Sequence, residues 1–265
     1  MQNRDDATSS RQVVGIIPMA GRAARLARLP CSKEIFPIGR RNGDDSDQGP
    51  RVVCEHLLGK MRTAGIGTAY VVLRDGKWDI PAYLGDGSQV QLRLAYLMMG
   101  LPYGTPYSVD QAFPFVRQAT VALGFPDMVF GPEDIFTPVI EHQRSSAADV
   151  VLGLFPADRP EKTDVVALSD DGEVERIIIK PGDTELRRTW GVAVWTPAFT
   201  EFMHDFLLSH RHTAAESAEL FIGDIVQAAI DEGLSVRGVQ VSEQPFLDIG
   251  TGDDLRKAMH LPPHT

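Results

Sequence analysis

Apolar residues fall into short runs separated by segments rich in Gly, Pro and Asp, and the spacing within each run predicts its structure. The runs VVGII (residues 13–17) and VVLGLF (residues 150–155) are continuous, which is typical of strands buried on both faces of a sheet. Residues 52–64 carry apolar side chains at helical spacing, and another apolar run follows at 69–73. The order of strand, loop, helix and strand predicts a parallel sheet with a right-handed crossover.

The same criteria predict the remaining elements. Further strands are expected at residues 90–94, 119–123, 149–155 and 236–241, with two short strands within 164–179 joined by the turn Asp170-Asp171-Gly172. Further helices are expected at residues 108–115, 132–144, 197–208, 221–232 and 255–259, with Ser108 as an N-cap. Together these elements predict an α/β fold.

Composition and charge narrow the class of protein. The chain has 265 residues, of which 43% are hydrophobic and 23% charged, so it has enough apolar side chains for a large core. The formal net charge of −10 argues against broad binding to nucleic acid or to an anionic membrane. Cys31 and Cys54 are the only cysteines, and they do not imply a disulfide framework.

The first residues of the chain are polar and charged. Residues 1–11 are rich in Asp, Ser and Arg, which predicts a flexible tail ahead of a domain that spans residues 12–265. This segment has no apolar stretch of the kind found in secretory signals, and no run in the sequence approaches the length of about 18 apolar residues needed to span a membrane. A cytoplasmic protein is therefore expected.

Basic residues are concentrated in the loop after the first predicted strand. Residues 20–41 hold six of the 26 basic residues and one acidic residue, Glu34; the six are Arg22, Arg25, Arg28, Lys33, Arg40 and Arg41. In an acidic protein this local reversal of charge favours an anion site over a solvated surface loop. Gly21 allows close backbone approach, and ligands of parallel sheets bind at the carboxyl ends of the strands.

Two segments of this loop resemble the N-terminal motifs of the sugar-1-phosphate nucleotidyltransferases, the nucleotide-sugar pyrophosphorylases. Residues 20–26 (AGRAARL) and 32–37 (SKEIFP) are similar to A-G-x-G-T-R-L and P-K-E-L-L-P of that family. Residues 84–88 (LGDGS) look like a segment of the glucose-1-phosphate thymidylyltransferases in particular. Ala23 and Ala24 replace the family's Gly and Thr, and the spacer from Arg25 to Lys33 is shorter than in the family.

The resemblance implies a set of nucleotide-binding and catalytic residues in the N-terminal half. Ala20, Gly21 and Arg22 would bind the nucleotide, and Arg25 and Lys33 would act on its phosphates. Gly104, which precedes a predicted helix, matches a family glycine that lies against the base. Asp127 follows the strand at 119–123 and matches the catalytic Asp that binds Mg²⁺.

Three further matches lie in the C-terminal half and follow the family order. Lys180, in RIIIKP, corresponds to the lysine that holds the sugar phosphate, although Ile179 stands where the family usually has Glu bonded to a sugar hydroxyl. Gly191 matches a glycine that lets the sugar ring approach the backbone. Asp248, in FLDIGTG, corresponds to the second Mg²⁺ ligand.

The resemblance implies one domain with a Rossmann-like mixed, mainly parallel sheet flanked by helices, as in the nucleotide-diphospho-sugar transferases. Its nucleotide-binding half would span about residues 12–130 and its sugar-phosphate half about 131–265. The implied reaction is Mg²⁺-dependent transfer of a nucleotidyl group from a nucleoside triphosphate, dTTP or UTP being favoured, to a sugar 1-phosphate. The products would be an NDP-sugar and pyrophosphate, and members of the family are usually homo-oligomers.

Three alternatives stay open at the level of sequence. The departures at Ala23 and Ile179 also fit a non-catalytic relative that binds a nucleotide or sugar phosphate. A nucleotidyltransferase acting on a cyclitol phosphate or phosphocholine fits Ile179 and the absence, near Met98 and Met99, of the Gln or Glu with which the family often reads the base. Asp44, Asp45 and Asp47 are close together in a Gly- and Asn-rich segment, for which a solvated acidic loop is favoured over a metal site.

Overall fold

The computed structural model describes residues 11–26, 28–39, 50–100, 104–210 and 219–261. Most of the predicted tail and the acidic segment with Asp44, Asp45 and Asp47 lie outside the described residues, as do Arg40 and Arg41.

The described residues form short strands and helices in alternation. The strands are β1 (Val13–Pro18), β2 (Pro37–Gly39), β3 (Arg51–Val52), β4 (Thr68–Arg74), β5 (Arg93–Met99), β6 (Thr120–Gly124), β7 (Met128–Val129), β8 (Val150–Pro156), β9 (Val165–Leu168), β10 (Val174–Ile178), β11 (Arg188–Trp195), β12 (Val236–Gln240) and β13 (Leu247–Asp248). The helices are α1 (Val53–Thr63), α2 (Asp79–Leu84), α3 (Thr105–Asp110), α4 (Phe113–Val116), α5 (Phe136–Ser146), α6 (Pro197–His210), α7 (Ile222–Asp231) and α8 (Gly252–Met259). Single 3-10 turns lie at Lys33–Ile35, Ser88–Val90 and Pro160–Lys162.

A nine-stranded mixed sheet forms the centre of the fold. Strands β5, β4, β1 and β6 are parallel neighbours in that order, as the strand–helix–strand pattern predicted. Strand β11 lies antiparallel beside β6 and pairs on its other edge with β8, which is followed by β12. The hairpin of β9 and β10 joins the sheet beside the first residues of β11.

Helices cover both faces of this sheet. Ile16 and Ile17 of β1 point to opposite faces, as successive residues of a strand must, and each belongs to a different apolar cluster. One cluster includes residues of α1 and α5, and the other includes residues of α3, α6 and α7. Because the sheet contains strands from both halves of the chain, the prediction of a single α/β domain with a mainly parallel, Rossmann-like sheet is confirmed.

Three local predictions were wrong. The helix expected from residue 132 begins at Phe136, after a turn in which Thr137 donates to the carbonyl of Asp134. Ser108 lies within α3 and bonds Met99 rather than capping a helix, because the helix already begins at Thr105. Val90 belongs to a 3-10 turn, and the strand that was expected to include it begins at Arg93.

The predicted hairpin in the second half of the chain is confirmed. Gly172 adopts a φ of +85°, which its lack of a side chain allows, and its amide donates to the carbonyl of Ser169. The turn joins β9 to β10, and Val165 pairs with Ile178 at the other end of the hairpin. Among the helices of the described ranges, none combines the length and the apolar character that a membrane span requires.

Candidate functional site

The carboxyl ends of the parallel strands meet at one edge of the sheet, where the site is built. The basic loop leaves the end of β1, and Asp127 follows the end of β6. Strands β7 and β13 form a short antiparallel ribbon at the same place, in which Asp248 pairs with Met128. The amide of Ile249 donates to the carbonyl oxygen of Asp127 over 2.9 Å, so the ribbon brings two aspartates, far apart in sequence, next to each other.

Lys33 bonds directly to Asp127, one of these two aspartates. Its ammonium donates to Oδ2 of Asp127 over 2.5 Å and lies 3.5 Å from the carbonyl oxygen of Ile249. Burial lowers the pKa of Lys33, but the carboxylate of Asp127 and the hydrogen bond to it outweigh burial and raise the pKa overall. Lys33 therefore stays charged at the centre of the site.

Asp248 has a raised pKa because of its burial and its position beside Asp127. Burial and the negative charge of Asp127 together raise its pKa to about 6, against the opposing effect of Lys33 and Arg25. Two neighbouring carboxylates fit a divalent cation, since Mg²⁺ takes one or two carboxylates and completes its shell with phosphate oxygens and water. No group of three or more Asp, Glu, His or Cys side chains suited to a metal exists in the described part of the chain.

Gly250 makes room for Arg25 beside Asp248. A Cβ at position 250 would lie 3.1 Å from Nη2 of Arg25 and 3.6 Å from Oδ2 of Asp248. The sequence motif FLDIGTG includes this glycine, but its role in admitting the Arg25 guanidinium is visible only in the structure.

A cavity of about 210 Å³ joins the charged residues to the second half of the fold. Four predicted site residues line it: Arg25, Asp127, Lys180 and Asp248. Its lining also includes side chains that the sequence did not single out, namely Phe125, Lys162, Asp164, Phe221 and Phe246. The cavity is therefore apolar along part of its wall and strongly charged along the rest.

Lys180 enters this cavity from the end of the β9–β10 hairpin. Its backbone has a φ of +41°, in the left-handed region that non-glycine residues seldom adopt, and its ammonium lies 3.7 Å from the centre of the Phe221 ring. Asp164 is close enough to interact with Lys180. Burial raises the pKa of Asp164 to about 6, the charge of Lys180 opposes this rise, and the charge of Asp224 adds to it.

A second, more basic cavity of about 510 Å³ lies on the other side of Lys33. Among the charged residues that line it, the basic ones are Arg22, Arg28, Lys33, Arg74 and Lys77. Lys77 and Glu34 form a buried ion pair with an Nζ–Oε2 distance of 2.7 Å, and burial raises the pKa of Glu34. Because Lys33 lines this cavity and bonds Asp127 of the first one, it connects the two spaces.

Asp79 fixes the chain just before Lys33. Its carboxylate accepts hydrogen bonds from the backbone amide of Ser32 over 2.6 Å and from the Ser32 hydroxyl over 2.8 Å. Burial opposes ionisation of Asp79, but these two hydrogen bonds outweigh it and lower the pKa of the carboxyl. The 3-10 turn that carries Lys33 is thus held to the segment that follows β4.

The remaining predicted site residues lie near the two cavities without lining the first one. Ala20 is buried at the end of β1, Gly21 is exposed, and Arg22 lines the basic cavity. Gly104 adopts a φ of +129° at the start of α3, where a Cβ would collide with the carbonyl oxygen of Leu220. At Gly191 a Cβ would come within 2.9 Å of the Phe155 ring, so this glycine is required by packing.

Comparison with known proteins agrees with this arrangement. A family model described as nucleotidyl transferase matches residues 47–262, a range that includes Asp127, Lys180 and Asp248. A glucose-1-phosphate thymidylyltransferase of Streptomyces griseus is 30% identical over 206 residues, which cover 77% of this chain and 55% of that protein. The low-salt glycan biosynthesis nucleotidyltransferase Agl11 of Haloferax volcanii is 23% identical over 251 residues, which cover 93% of this chain and 65% of that protein.

A solved structure shows the same fold. The crystal structure of a candidate glucose-1-phosphate thymidylyltransferase from Bacillus anthracis, in complex with sucrose, superimposes with a TM-score of 0.81 and covers 96% of both chains at 19% identity. The chain spans between about half and two thirds of the length of the two curated relatives described above.

Proposed function

This chain belongs to the nucleotidyl transferase family, and from that premise we propose that it transfers a nucleotidyl group from a nucleoside triphosphate to a sugar 1-phosphate. The products would be an NDP-sugar and pyrophosphate. Relatives named glucose-1-phosphate thymidylyltransferase favour dTTP as the donor and glucose 1-phosphate as the acceptor. The family resemblance of the sequence adds UTP as a second donor to be tried.

The observation that carries this proposal is the position of Lys33. Its ammonium lies on Asp127, between the basic cavity at the end of β1 and the cavity that contains Lys180. A triphosphate in the basic cavity and an acceptor phosphate at Lys180 would therefore meet beside Lys33. Two negatively charged substrates need such a bridge of positive charge in order to approach each other.

The proposed reaction is a direct transfer between the two substrates, with no covalent bond to the protein. An oxygen of the acceptor phosphate attacks the α-phosphorus of the triphosphate, a new P–O bond forms, and the bond to the leaving pyrophosphate breaks. The attacking oxygen is already anionic, so no side chain has to remove a proton from it. Catalysis then consists of positioning and of stabilising negative charge in the transition state.

We assign the charged residues roles along this path. Lys180 would hold the acceptor phosphate, Lys33 would stabilise charge at the reacting phosphoryl group, and Arg25 would stabilise the departing pyrophosphate. Arg22, with Ala20 and Gly21, would bind the triphosphate at the end of β1. Gly104 would lie against the base and Gly191 near the sugar.

Asp127 and Asp248 would hold Mg²⁺, which when bound supplies the positive charge that neutralises the phosphates. The raised pKa of Asp248 supports this assignment, because a cation removes the repulsion between the two carboxylates. The basic side chains Arg22, Arg25, Lys33 and Lys180 act by binding and orienting the substrates.

One observation favours a second acceptor class. Four aromatic residues line the cavity that contains Lys180, namely Phe125, Trp190, Phe221 and Phe246. Aromatic rings with a nearby carboxylate are a known means of binding quaternary ammonium groups, so phosphocholine belongs among the acceptors to be tried.

The test is pyrophosphate release from a grid of substrates with Mg²⁺ present. Five nucleoside triphosphates would be combined with several sugar 1-phosphates, a cyclitol phosphate and phosphocholine. We expect release with one donor and one acceptor class, and loss of nearly all turnover in Asp127→Ala, because this change removes both the partner of Lys33 and a metal ligand. Full activity and undiminished Mg²⁺ dependence in Asp127→Ala would disprove the role of this residue.

A different conclusion would follow if no combination of donor and acceptor released pyrophosphate. If a nucleoside triphosphate still raised the melting temperature, the chain would be a nucleotide-binding relative without transferase activity. Asp170→Asn is the control for Asp127→Ala, because it removes a carboxylate from an exposed turn that lines neither cavity.

A further inference from the structure

Two charged residues, Asp164 and Lys180, lie at the open end of the β9–β10 hairpin, opposite the turn. Val165 pairs with Ile178, and continuing this antiparallel register places Asp164 opposite Ile179. Asp164 and Lys180 both line the cavity of about 210 Å³. Ile179 does not line it and packs instead with the apolar cluster that contains α7.

The carboxylate of Asp164 faces the cavity next to Lys180. Among the described residues, no hydrogen bond or ion pair engages it, although Lys180 and Asp224 are close enough to change its pKa. Lys180 lies over the ring of Phe221 instead, and the carboxylate of Asp224 accepts a hydrogen bond from the backbone amide of Phe221 over 2.8 Å. Asp164 is partly exposed and lines the cavity, so its carboxylate is available to accept a hydrogen bond from a polar group of a ligand bound there.

The backbone of α7 restricts where this carboxylate can be. A Cβ at Gly223 would lie 2.8 Å from Oδ2 of Asp164 and 2.5 Å from Cδ1 of Ile179. Only glycine therefore lets the start of α7 approach the hairpin this closely. With the helix on one side, the remaining accessible side of Asp164 faces the cavity.

We infer that Asp164 selects the acceptor substrate by accepting a hydrogen bond from a ring hydroxyl of a sugar 1-phosphate whose phosphate lies at Lys180. This inference rests on the proposed function and adds a specificity-determining residue to it. The aromatic residues of the cavity supply apolar surface for the C–H faces of a sugar ring. A hydroxyl is favoured over a ligand cation because the ammonium of Lys180 already covers the face of Phe221 and would repel a second positive charge.

The electrostatics of the site agree with this assignment. Burial raises the pKa of Asp164 to about 6 in the absence of a ligand, and a hydroxyl donor would stabilise the ionised form. Because the acceptor phosphate also titrates near pH 6, the expected signal is a difference in the protons released on acceptor binding at pH 6 between the unmodified chain and Asp164→Asn.

The experiment compares the full chain with Asp164→Ala and Asp164→Asn, using glucose 1-phosphate and its 2-, 3-, 4- and 6-deoxy analogues as acceptors with saturating dTTP. We expect Asp164→Ala to lower kcat/KM for glucose 1-phosphate about 10- to 100-fold, the effect of losing one hydrogen bond to a charged group. One deoxy analogue should show the same loss with the unmodified protein and no further loss with Asp164→Ala. The KM for dTTP should not change.

Control variants and a binding measurement test the role of Asp164 separately from the proposed nucleotidyl transfer. Asp164→Asn keeps the shape and one acceptor oxygen, so it should lose less than Asp164→Ala, and Asp170→Asn should lose nothing. Calorimetric binding of glucose 1-phosphate to the same variants gives a readout without turnover, and weaker binding by Asp164→Ala supports the inference even if no nucleotidyl transfer occurs.

Three results would overturn the inference. The first is an equal affinity of Asp164→Ala and the unmodified chain for glucose 1-phosphate. The second is a loss spread evenly over all the deoxy analogues, which would indicate a structural role. The third is a preference for phosphocholine that disappears in Asp164→Asn, which would show that Asp164 recognises a cation and not a hydroxyl.

Discussion

At the scale of single residues, the site depends on carboxylates whose partners lie far away in sequence. Asp127 is bonded by Lys33, Asp79 by Ser32, and Asp248 lies beside Asp127. Asp164 differs from these because no described residue donates to it. A substitution at each carboxylate therefore has a distinct expected effect, set by what that carboxylate contacts.

Asp248 should make the stability of the metal-free protein depend on pH. Its pKa of about 6 in the folded chain exceeds the ordinary value of 3.8, so the folded state binds the proton more tightly than the unfolded state does. The stabilisation from this proton is complete below pH 4 and is lost as the pH rises through 6. Asp248→Asn cannot ionise, so in EDTA its melting temperature should exceed that of the unmodified chain by about 2–4 °C at pH 7.5 and by little at pH 4.

Thermal unfolding at several pH values measures this difference, and the pH dependence of Asp164 cancels because both proteins contain it. Mg²⁺ added at pH 7.5 should raise the melting temperature of the unmodified chain and have little effect on Asp248→Asn. Asp253→Asn, an exposed change in α8, is the control. A constant difference between the two proteins from pH 4 to pH 7.5 would contradict the pKa assigned to Asp248.

Sequence reasoning identified the charged residues that belong to recognisable motifs and missed those that do not. Lys33, Asp127, Lys180 and Asp248 all lie in short patterns with a fixed order, and the structure brings them to adjoining parts of one site. Asp164 precedes an ordinary strand, and its place beside Lys180 depends on the exact register of the β9–β10 hairpin, which the sequence did not provide. The left-handed backbone of Ala23, with a φ of +52°, could likewise not be deduced from an alanine, although the family has Gly at that position.

At the scale of elements, the 3-10 turn of Lys33–Ile35 is the part whose position matters most. It is held from two sides, by Asp79 through Ser32 and by Lys77 through the buried Glu34. Both of these partners follow β4, so the loop from β1 is attached to the neighbouring strand of the sheet. The attachment determines where the ammonium of Lys33 lies.

Asp79→Ala should loosen this turn, and it also removes one negative charge from the lining of the basic cavity, which by itself would favour triphosphate binding. The change deletes two hydrogen bonds, and we expect a loss of about 1–3 kcal/mol in unfolding free energy together with a KM for the nucleoside triphosphate raised about 10-fold. Steady-state kinetics and denaturant unfolding measure the two effects. Ser32→Ala keeps the backbone hydrogen bond and should give about half of each effect, whereas unchanged kinetics in Asp79→Ala would show that the anchor does not position Lys33.

Element prediction succeeded where the hydrophobic period was long and regular. Helices α1, α6 and α7 and the strands β1, β4 and β8 were each found within a few residues of their observed bounds. The start of α3 was missed because Pro106, which is favoured in the first turn of a helix, was taken as part of the preceding loop. Val90 fits the alternation of apolar and polar residues expected of a strand, but the 3-10 turn that follows Gly87 includes Val90.

At the scale of the whole molecule, the site exists because two distant parts of the chain share one sheet. Strand β11 comes from the second half of the sequence and lies antiparallel to β6 of the first half. This pairing brings Thr189 and Trp190 of β11 to the cavity that Asp127 lines from the first half. The parallel order of β1, β4 and β5 could be predicted from their crossovers, whereas the place of β11 is decided by packing and could not be.

The central claim is that the site joins a nucleotidyl group to a sugar phosphate, and the most direct measurement is ³¹P NMR of the reaction mixture. The full chain would be incubated with Mg²⁺, glucose 1-phosphate and either dTTP or UTP. We predict that the resonances of a sugar nucleotide and of free pyrophosphate appear in equal amounts with one of the two donors, and that Asp127→Ala forms neither. Release of orthophosphate without a sugar nucleotide, or an unchanged spectrum with both donors, would contradict the account.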